Sequence, residues 1–310
     1  MSTEYPLVSI IVITYNSSKY VLETLESIKA QTYQNIELII TDDCSKDNTI
    51  EICRKWIDKN KEYFTNTQIV TSDHNTGVSA NCNRGYKAAK GEWIKAIAGD
   101  DALYPTAIKN YISFSLQHPE AQIIHANVHM FNNVLDQSHI IENNPIHPAC
   151  FTTIGPKAEQ QFKLLCITNF IYAPSVFIRN ELFHRMNFFD ESIPMCEDWP
   201  MWLKISRLNI PFYFLNSYTI KYRVTDQSIY GKENTNYLFK RFFTIDNTIY
   251  KKYIKPFAPI HIKALNRYDY FLRQHLDYLG LNKKNKIAKG IYKLFNIPYR
   301  IALRLMIKSY

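Results

Sequence analysis

Short apolar runs alternate with amphipathic segments through the first hundred residues. The run Leu7 to Ile13 (LVSIIVI) is rich in β-branched residues, is too short for a typical helix and ends in polar residues. Such a run predicts a strand that is buried on both faces, as the strands of parallel sheets are. Ile36 to Thr41, Gln68 to Thr71 and Trp93 to Ile97 predict three further strands.

Helical patterns separate these predicted strands. The segment Ser18 to Gln31 places its apolar residues at helical spacing, and Thr49 to Lys59 and Val78 to Lys90 predict two more helices. Strands that alternate with helices form open, doubly wound parallel sheets with right-handed crossovers. We therefore predict an α/β fold, whose ligands bind beyond the carboxyl ends of the strands.

Polar residues follow three of the predicted strands. The three clusters are Tyr15 with Asn16, Asp42 with Asp43, and Asp100 with Asp101. Each pair alone is also typical of helix caps and turns. Together at one predicted edge they indicate a binding site, because crowded carboxylates repel one another unless a cation or a donor-rich ligand compensates them. Carboxylate oxygens suit Mg²⁺ or Mn²⁺.

No glycine-rich phosphate loop accompanies these clusters. The chain contains 8 glycines, and neither GxGxxG nor GxxxxGK[ST] occurs in it. We therefore expect any phosphate groups of the ligand to be held through a metal ion rather than by the amino end of a helix.

Length and composition suit a globular protein with one large domain or a domain and an appendage, since the chain has 310 residues, of which 46% are hydrophobic. Its 6 cysteines lie far apart without a CxxC pair, and residues 1–6 lack the features of a signal peptide. We expect a protein of the reducing cytoplasm without disulfides or a zinc site.

The positive charge is concentrated at the C-terminal end. The net charge is +9, and residues 281–310 contain eight lysines and arginines and no acid. One predicted helical face there contains Ile287, Ile291, Leu294 and Phe295. A basic amphipathic helix can lie on an anionic membrane, contact a second copy of the chain, or bind nucleic acid. Because nothing upstream resembles a nucleic-acid module, we expect a membrane surface or a homo-oligomer contact and no nucleic acid.

Five segments contain the most specific pattern in the sequence. They are SIIVITYN at Ser9 to Asn16, ELIITDDCSKDNT at Glu37 to Thr49, NTGVSANCNRG at Asn75 to Gly85, GEWIKAIAGDD at Gly91 to Asp101, and FFDESIPMCEDWPMWLKI at Phe188 to Ile205. In order and spacing, over about the first two thirds of the chain, they resemble the family 2 glycosyltransferases of the GT-A fold. The resemblance implies a Rossmann-like nucleotide-binding sheet with an acceptor-binding subdomain, followed here by a C-terminal helical extension.

This resemblance implies a domain plan and an activity. We expect a GT-A domain at 1–233, with a nucleotide-binding half at about 1–105 and an acceptor half at about 106–233, and a basic helical extension at 234–310. The implied activity is inverting transfer of a sugar from a nucleotide-diphosphate sugar, which we expect to be a UDP-sugar, to a hydroxyl of a growing, lipid-linked surface glycan. The implied cofactor is Mn²⁺ or Mg²⁺, and the implied location is the cytoplasmic face of the membrane.

The resemblance also implies roles for residues of the first two strand ends. Tyr15 would stack against the nucleotide base, with Thr14 and Asn16 beside it. Asp43 would accept a hydrogen bond from the base or the ribose, with Asp42 as its neighbour.

The metal and the rest of the donor are implied to lie at the fourth strand. Asp101 is the implied metal ligand and Asp100 the implied ribose contact, but the two assignments can be exchanged, so that Asp100 is also a candidate ligand. Asn83, in the third segment, completes the implied donor site.

The last segment contains the implied catalytic pair. An inverting transfer needs a base that takes the proton from the incoming hydroxyl, and the family uses the Asp of its ED motif, which is Asp198 here. Glu197 would support or orient it. Without the resemblance, these two acids would be better explained as caps of the helix predicted for Trp199 to Arg207.

Three positions depart from the family pattern. Ala98 stands where many members have the first Asp of DxD, Cys82 where many have an arginine, and Thr225 where many have a histidine that can approach the metal. A non-catalytic nucleotide-sugar or glycan-binding scaffold is therefore one alternative. A sugar nucleotidyltransferase is another, although such enzymes usually need a glycine-rich basic loop after the first strand, which ITYNSSKY lacks.

Overall fold

A computed structural model describes residues 5–141, 148–153, 155–225, 240–282 and 286–309. Its amino-terminal part alternates strands and helices in the predicted order. The elements are β1 (Val8–Thr14), α1 (Val21–Lys29), β2 (Ile36–Asp42), α2 (Thr49–Asn60), β3 (Asn66–Thr71), α3 (Val78–Ala88), β4 (Trp93–Ala98) and β5 (Ala102–Leu103). The predicted strands and helices are confirmed, with ends that differ by a few residues.

The later elements mix antiparallel strands with helices. They are α4 (Ala107–Gln117), β6 (Ile123–Asn132), β7 (Ile140–Ile141), α5 (Ala158–Leu165), β8 (Phe177–Arg179), α6 (Asn180–Arg185), α7 (Asp198–Arg207) and β9 (Tyr213–Val224). The C-terminal helices are α8 (Lys240–Ile249), which continues into a π-helical turn, α9 (Ile260–Tyr278), α10 (Lys286–Phe295) and α11 (Ile297–Ser309). A helical C-terminal extension to an α/β domain is thereby confirmed.

The strands of the described ranges form one sheet of nine, in the order β3-β2-β1-β4-β8-β6-β9-β5, with β7 paired to β6. The first four strands run parallel, and β8 is antiparallel to β4. The register places Thr14 beside Asp42 and Ile13 beside Ala98. Because these strand ends are level, the polar clusters that follow them meet at one edge of the sheet, as predicted.

Both faces of β1, β2 and β4 are covered, which explains why these strands are buried and mainly apolar, whereas β3 at the edge is largely exposed. On one face, Ile11, Ile39 and Ile94 pack in a core cluster with α3, α5 and α7. On the other face, Ile10 and Leu38 pack with α1, α2 and α4. The resulting three-layer arrangement fixes the edge at which the strands end.

Helix α3 approaches the sheet most closely at Gly85. A Cβ atom at this position would lie 2.5 Å from Ile11 Cγ2 and 2.9 Å from Thr41 Cγ2, both well inside van der Waals contact. The absence of a side chain therefore lets α3 lie directly on β1 and β2. The same helix presents Cys82 and Tyr86 near the strand ends.

The C-terminal helices share a core with the α/β part of the chain. Ile245 and Ile249 of α8 and Ile262 of α9 belong to the cluster that contains α7, and Leu303 and Met306 of α11 pack against it. The predicted domain boundary at 233/234 lies outside the described residues.

Candidate active site

The loop after β1 presents an aromatic ring at the predicted nucleotide edge. The Tyr15 side chain is 48% exposed, so its face is available to a planar ligand. Asn16 adopts φ 52°, and its backbone N–H donates to Ser45 Oγ (2.8 Å) while its Oδ1 accepts from the Lys46 N–H (2.8 Å). These bonds tie the β1 loop to the β2 loop. Buried Thr14 adds another tie by donating to Asp42 Oδ2 (2.7 Å).

The two carboxylates after β2 are engaged by protein donors. Asp42 is buried and also accepts from the backbone N–H and hydroxyl of Ser45, at 2.8 and 2.5 Å. Asp43 is buried and accepts from the N–H and hydroxyl of Thr76, from the Gly77 N–H (2.7 Å) and from Arg84 (2.6 Å). Burial raises the pKa of Asp43, but these hydrogen bonds outweigh it and lower the pKa below its ordinary value. Base or ribose contacts by Asp43 and Asp42 stay predictions.

Asn83 connects α3 to the segment that leads to the ED motif. Its Nδ2 donates to Phe189 O (3.0 Å) and Glu191 Oε1 (2.8 Å), and its Oδ1 accepts from the Phe189 N–H (2.9 Å). The amide therefore holds residues 189–191 against α3, and its predicted contact with the donor stays a prediction.

Asp100 and Asp101 lie side by side at the end of β4. Asp101 is buried and accepts from the backbone N–H of Arg223 (2.8 Å), while Asp100 is half-buried. Burial raises the pKa of both, and the charge of Asp100 raises that of Asp101 further. Two carboxylates held side by side away from water repel each other, so this is a position at which a bound cation is favourable.

The carboxylate pair fits a metal that is shared with a diphosphate. Within the described ranges, no group of three or more His, Cys, Asp or Glu side chains could hold a metal ion. Mg²⁺ and similar ions are usually held by one or two carboxylates together with substrate phosphates and water. Asp100 and Asp101 meet that requirement when a nucleotide supplies the remaining oxygens.

Arg223, near the end of β9, holds this carboxylate pair in place. Its buried guanidinium donates to Asp100 O (2.7 Å), to Asn133 O and to the Glu23 carboxylate, and lies 4.3 Å from the centre of the Tyr20 ring. One side chain thus fastens the end of β4 to α1 and to the loop after β6.

Lys95 lies beneath the same strand end. It is fully buried, and its Nζ donates to Ala96 O (2.8 Å) and Pro174 O. Burial lowers its pKa to about 7, although the charge of Asp101 acts in the opposite direction. The ammonium group therefore links β4 to the turn at residues 173–175.

The predicted catalytic pair stands at the start of α7. Asp198 Oδ2 accepts from Asn169 Nδ2 (2.8 Å), and its Oδ1 accepts from the Trp199 N–H (2.7 Å). Burial raises the pKa of Asp198, while the hydrogen bonds from Asn169 and Trp199 lower it, and the net direction is upward. Burial and the charge of Asp198 raise the pKa of Glu197 to about 7. Glu197 is thus poised to exchange protons near neutral pH, and the pKa of Asp198 is raised in the same direction.

One cavity of about 140 Å³ brings the two halves of the predicted site together. It is lined by Asp101 after the end of β4, by Glu197 at the start of α7, and by Cys82 of α3. Asp198, Asp100 and Asn83 are not among its lining residues. Glu197 is therefore the member of the ED pair that lines the space next to the predicted metal ligand.

Three residues of this site were not predicted from the sequence. Lys95 had a local signal, because a lone cation interrupts the apolar strand WIKAIA. Arg223 lies in the segment that contains Thr225, but its partners are far away in the chain. Asn169 has no local signal, since its significance comes only from its contact with Asp198.

Comparison with known sequences identifies related proteins. The sequence model of glycosyl transferase family 2 matches residues 9–186. A Rickettsia typhi protein named as an uncharacterized glycosyltransferase is 31% identical over 231 residues, covering 73% of this chain and 66% of the relative. A Rickettsia felis protein with a similar name is 30% identical over 222 residues, covering 70% of this chain and 34% of the relative. The chain thus spans from about a third to about two thirds of the length of these relatives.

Comparison with solved structures gives the same fold. S. aureus TarS in complex with UDP-GlcNAc has a TM-score of 0.62 at 18% identity, covering 88% of this chain and 73% of that chain. The mannosyltransferase PcManGT of Pyrobaculum calidifontis, in complex with GDP-Man and Mn²⁺, has a TM-score of 0.53 at 16% identity, covering 99% and 73%. At such low identity these likenesses concern the fold, which is the GT-A fold.

Proposed function

The chain belongs to glycosyl transferase family 2, and on that premise we propose that it moves a sugar from a nucleotide-diphosphate sugar to an acceptor hydroxyl with inversion at the anomeric carbon. The observation that supports this most directly is the cavity lined by both Asp101 and Glu197. Inversion requires the incoming hydroxyl and the leaving diphosphate to lie on opposite faces of the sugar ring. A predicted metal ligand and a member of the ED pair that line one space of about 140 Å³ suit that requirement.

On the donor side, Tyr15 stacks on the nucleotide base and Asp101, with Asp100, holds Mn²⁺ or Mg²⁺ together with the diphosphate. The metal, when bound, would offset the negative charge that develops on the leaving diphosphate. Support comes from the exposed Tyr15 ring and from the adjacent carboxylates at one sheet edge. UDP is the nucleotide we propose, since TarS binds UDP and UDP-GlcNAc.

On the acceptor side, Asp198 takes the proton of the incoming hydroxyl and Glu197 assists it. Asn169 fixes the orientation of Asp198 through one carboxylate oxygen. The raised pKa of both acids brings them towards the range in which a general base is most effective at neutral pH.

The proposed acceptor is a growing, lipid-linked surface glycan, which requires the enzyme to work at a cytoplasmic membrane surface. Ile287 and Leu294 of α10 and Leu305 of α11 are 73%, 62% and 63% exposed. Exposed cations lie between them, at Lys286, Lys289, Lys293, Arg300, Arg304 and Lys308. Among the described helices, none is both long and apolar enough to pass through a bilayer. An exposed apolar and basic surface of this kind suits peripheral binding to anionic lipid.

A thermal-shift screen of nucleoside diphosphates, with and without Mn²⁺, tests the donor assignment, because a ligand that binds only the folded state raises Tm by mass action. Donor hydrolysis then separates an enzyme from a non-catalytic binder, which would show the shift in Tm without turnover.

The variant Asp198→Asn tests the proposed base. It keeps the shape of the side chain but removes the basic oxygen, so kcat should fall roughly 10²–10⁴-fold while the affinity for the donor stays similar. Full activity of Asp198→Asn would leave Asp198 with only its helix-capping role.

A further inference from the structure

The chain between α6 and α7 leads directly into the proposed catalytic pair. We call residues 187–196 the α6–α7 segment, and Glu197 follows its last residue. Three of its residues have positive φ, namely Asn187 at 55°, Phe188 at 62° and Met195 at 64°. For phenylalanine and methionine this conformation is sterically unfavourable, and it persists only where the surrounding structure holds it. The α6–α7 segment is therefore a strained connection whose shape must be fixed by its neighbours.

Two helices of the α/β part hold both ends of the α6–α7 segment. At its beginning, Lys204 of α7 donates to Met186 O (2.8 Å) and Phe188 O (2.9 Å). Near its end, Ser79 of α3 donates to Ile193 O (3.1 Å). These bonds fix backbone carbonyl groups, and the bonds of Asn83 described above add to them. The middle of the segment is held in a different way.

The C-terminal extension grips a carboxylate in the middle of the α6–α7 segment. Asp190 Oδ2 accepts from the Tyr253 hydroxyl (2.7 Å) and from Lys252 Nζ (3.1 Å), and Lys252 Nζ also donates to Ser192 Oγ (2.6 Å). Asp190 Oδ1 accepts from the N–H (3.0 Å) and the hydroxyl (2.6 Å) of Ser192. Tyr253 and Lys252 lie in the π-helical turn Tyr250–Ile254 that continues α8. Turns of this kind are rare and occur frequently at functional sites.

Two features distinguish this contact from an exposed ion pair. The Asp190 side chain is only 19% exposed, and Tyr253 packs against the core cluster that contains α7. Burial raises the pKa of Asp190, but the hydrogen bonds from Ser192, Tyr253 and Lys252 outweigh it and lower the pKa well below its ordinary value. Hydrogen bonds to an ionised group are roughly twice as strong as those between neutral groups. The contact is therefore able to hold a strained segment.

We propose that Tyr253 and Lys252 are positioning residues for the transfer reaction, which act through Asp190. By fixing the α6–α7 segment they hold the start of α7, and with it Glu197 and Asp198, in place. The inference rests on the proposed function and gives the C-terminal extension a part in its catalytic geometry. Neither positioning residue lines the cavity, and Asp190 does not line it either. Turnover should therefore depend on them while binding of the donor does not.

Removal of one hydroxyl tests this role. Tyr253→Phe keeps the ring in the core and removes a donor to Asp190. Hydrolysis is measured for the full chain with UDP-glucose, UDP-N-acetylglucosamine and GDP-mannose, and the fastest of these is used for all variants. Because misplacing a catalytic group slows the chemical step, kcat should fall about 10-fold while KM and the Kd of the matching nucleoside diphosphate with Mn²⁺ stay within about 2-fold.

Two further variants complete the comparison. Lys252→Met changes a side chain that is 47% exposed, so it should fold even if Tyr253→Phe does not, and it should lower kcat in the same way. Tyr250→Phe is the matched control, because it removes the hydroxyl of another tyrosine in the same π-helical turn. Its kcat should equal that of the unmodified protein.

A double-mutant cycle shows whether the effect passes through Asp190. Asp190→Asn should lower kcat as Tyr253→Phe does, and the double variant should be no slower than the slower single variant, since both changes break one contact. The Tm of each variant is measured in parallel. A purely structural role would lower Tm and leave kcat of the folded protein unchanged.

The outcomes separate this inference from the proposed function. Unchanged kcat in Tyr253→Phe and Asp190→Asn, with normal binding of the nucleoside diphosphate, overturns the inference and leaves the glycosyltransferase proposal intact. Losses of kcat that multiply in the double variant, or that come with an equal loss of nucleotide binding, also overturn it. If the unmodified protein hydrolyses none of the three sugar nucleotides, the proposed function is wrong and the inference fails with it.

Discussion

Asn169 shows how one side chain can set the chemistry of another. Its amide donates to Asp198 Oδ2, and the Trp199 N–H donates to Oδ1. Hydrogen bonds to a carboxylate stabilise its charged form and so lower its pKa. The charge of Asp198 in turn raises the pKa of Glu197 and of the thiols of Cys82 and Cys196. Burial raises the pKa of both thiols, which therefore remain neutral.

Asn169→Ala should move the acid limb of the kcat/KM profile to higher pH. Loss of the donor raises the pKa of Asp198, and a base is active only when deprotonated, so more alkaline conditions are needed to ionise it. Asn169→Asp adds a like charge and should move the limb further in the same direction. Asn127→Ala on β6 is the control, and a limb that stays in place in both Asn169 variants would contradict this positioning role.

Asp101→Ala should abolish the Mn²⁺-dependent part of the thermal shift that UDP produces. The substitution removes the carboxylate that lines the cavity, leaving Asp100 alone with the diphosphate. The measurement is Tm with UDP, in the presence of Mn²⁺ and of EDTA. Asp136→Ala, an exposed acid outside the strand-end clusters, should keep the full shift. An undiminished shift in Asp101→Ala would mean that Asp100 is the ligand or that binding needs no metal.

At the scale of elements, strand β4 is joined to the turn before β8. Its buried Lys95 donates to Pro174 O in the turn before β8, and that turn lines the cavity. Burial disfavours the charged amine, so the folded state releases its proton at a pH where the unfolded chain still holds it. The folded pKa is about 7, against 10.5 as the ordinary value.

Lys95 should make the protein more stable as pH rises from about 7.5 to 9.5. In this window the unfolded state binds more protons than the folded state, so the free energy of unfolding increases with pH by up to ~1.4 kcal/mol per unit from this group. Lys95→Met should remove that part of the slope, as measured by urea unfolding at several pH values. Exposed Lys90→Met is the control. If the free energy of unfolding rises equally steeply with pH in Lys95→Met and in the unmodified protein, Lys95 stays charged over the whole of this pH range.

The elements that sequence reasoning found are those whose signal is local. The strands before Asn16, Asp43 and Asp101 are mainly apolar because both of their faces are covered. The contacts of Arg223 and Asn169 depend on how distant segments pack, and neither hydrophobic periodicity nor a motif encodes them. The burial of Asp43 among protein donors was missed for the same reason.

At the scale of the whole molecule, the C-terminal helices are packed against the α/β part of the chain. Tyr299 of α11 donates to Ile167 O (3.3 Å), and Asn266 of α9 donates to Cys166 O (2.9 Å). Trp199 donates to the neighbouring Leu165 O (2.7 Å). These bonds meet on the segment that leads to Asn169. Deleting the helices would therefore disturb the catalytic side as well as any membrane contact.

Charge reversal tests the proposed membrane-binding surface of α10 and α11 without removing the contacts with residues 165–167. The double variant Lys289→Glu and Lys293→Glu should release the protein from anionic vesicles at low salt and leave donor hydrolysis unchanged, since each cation near an anionic surface is worth ~1 kcal/mol. Raised salt should weaken binding of the unmodified protein by screening. The matched control, Lys59→Glu with Lys61→Glu, alters charge next to α2 and should still sediment. Equal sedimentation of both variants would favour a contact between copies of the chain at α10 and α11.

The close approach of α3 to the sheet restricts which substitutions this helix tolerates. Randomising Cys82 and Tyr86 would change the shape of the cavity, because both residues line it. Gly85 stands between them, and any Cβ there would push the helix away from Ile11 and Thr41. Such a shift would move residues 82 and 86 together, so that a change in the cavity could not be distinguished from a defect in folding. A useful library therefore varies 82 and 86 and keeps glycine at 85.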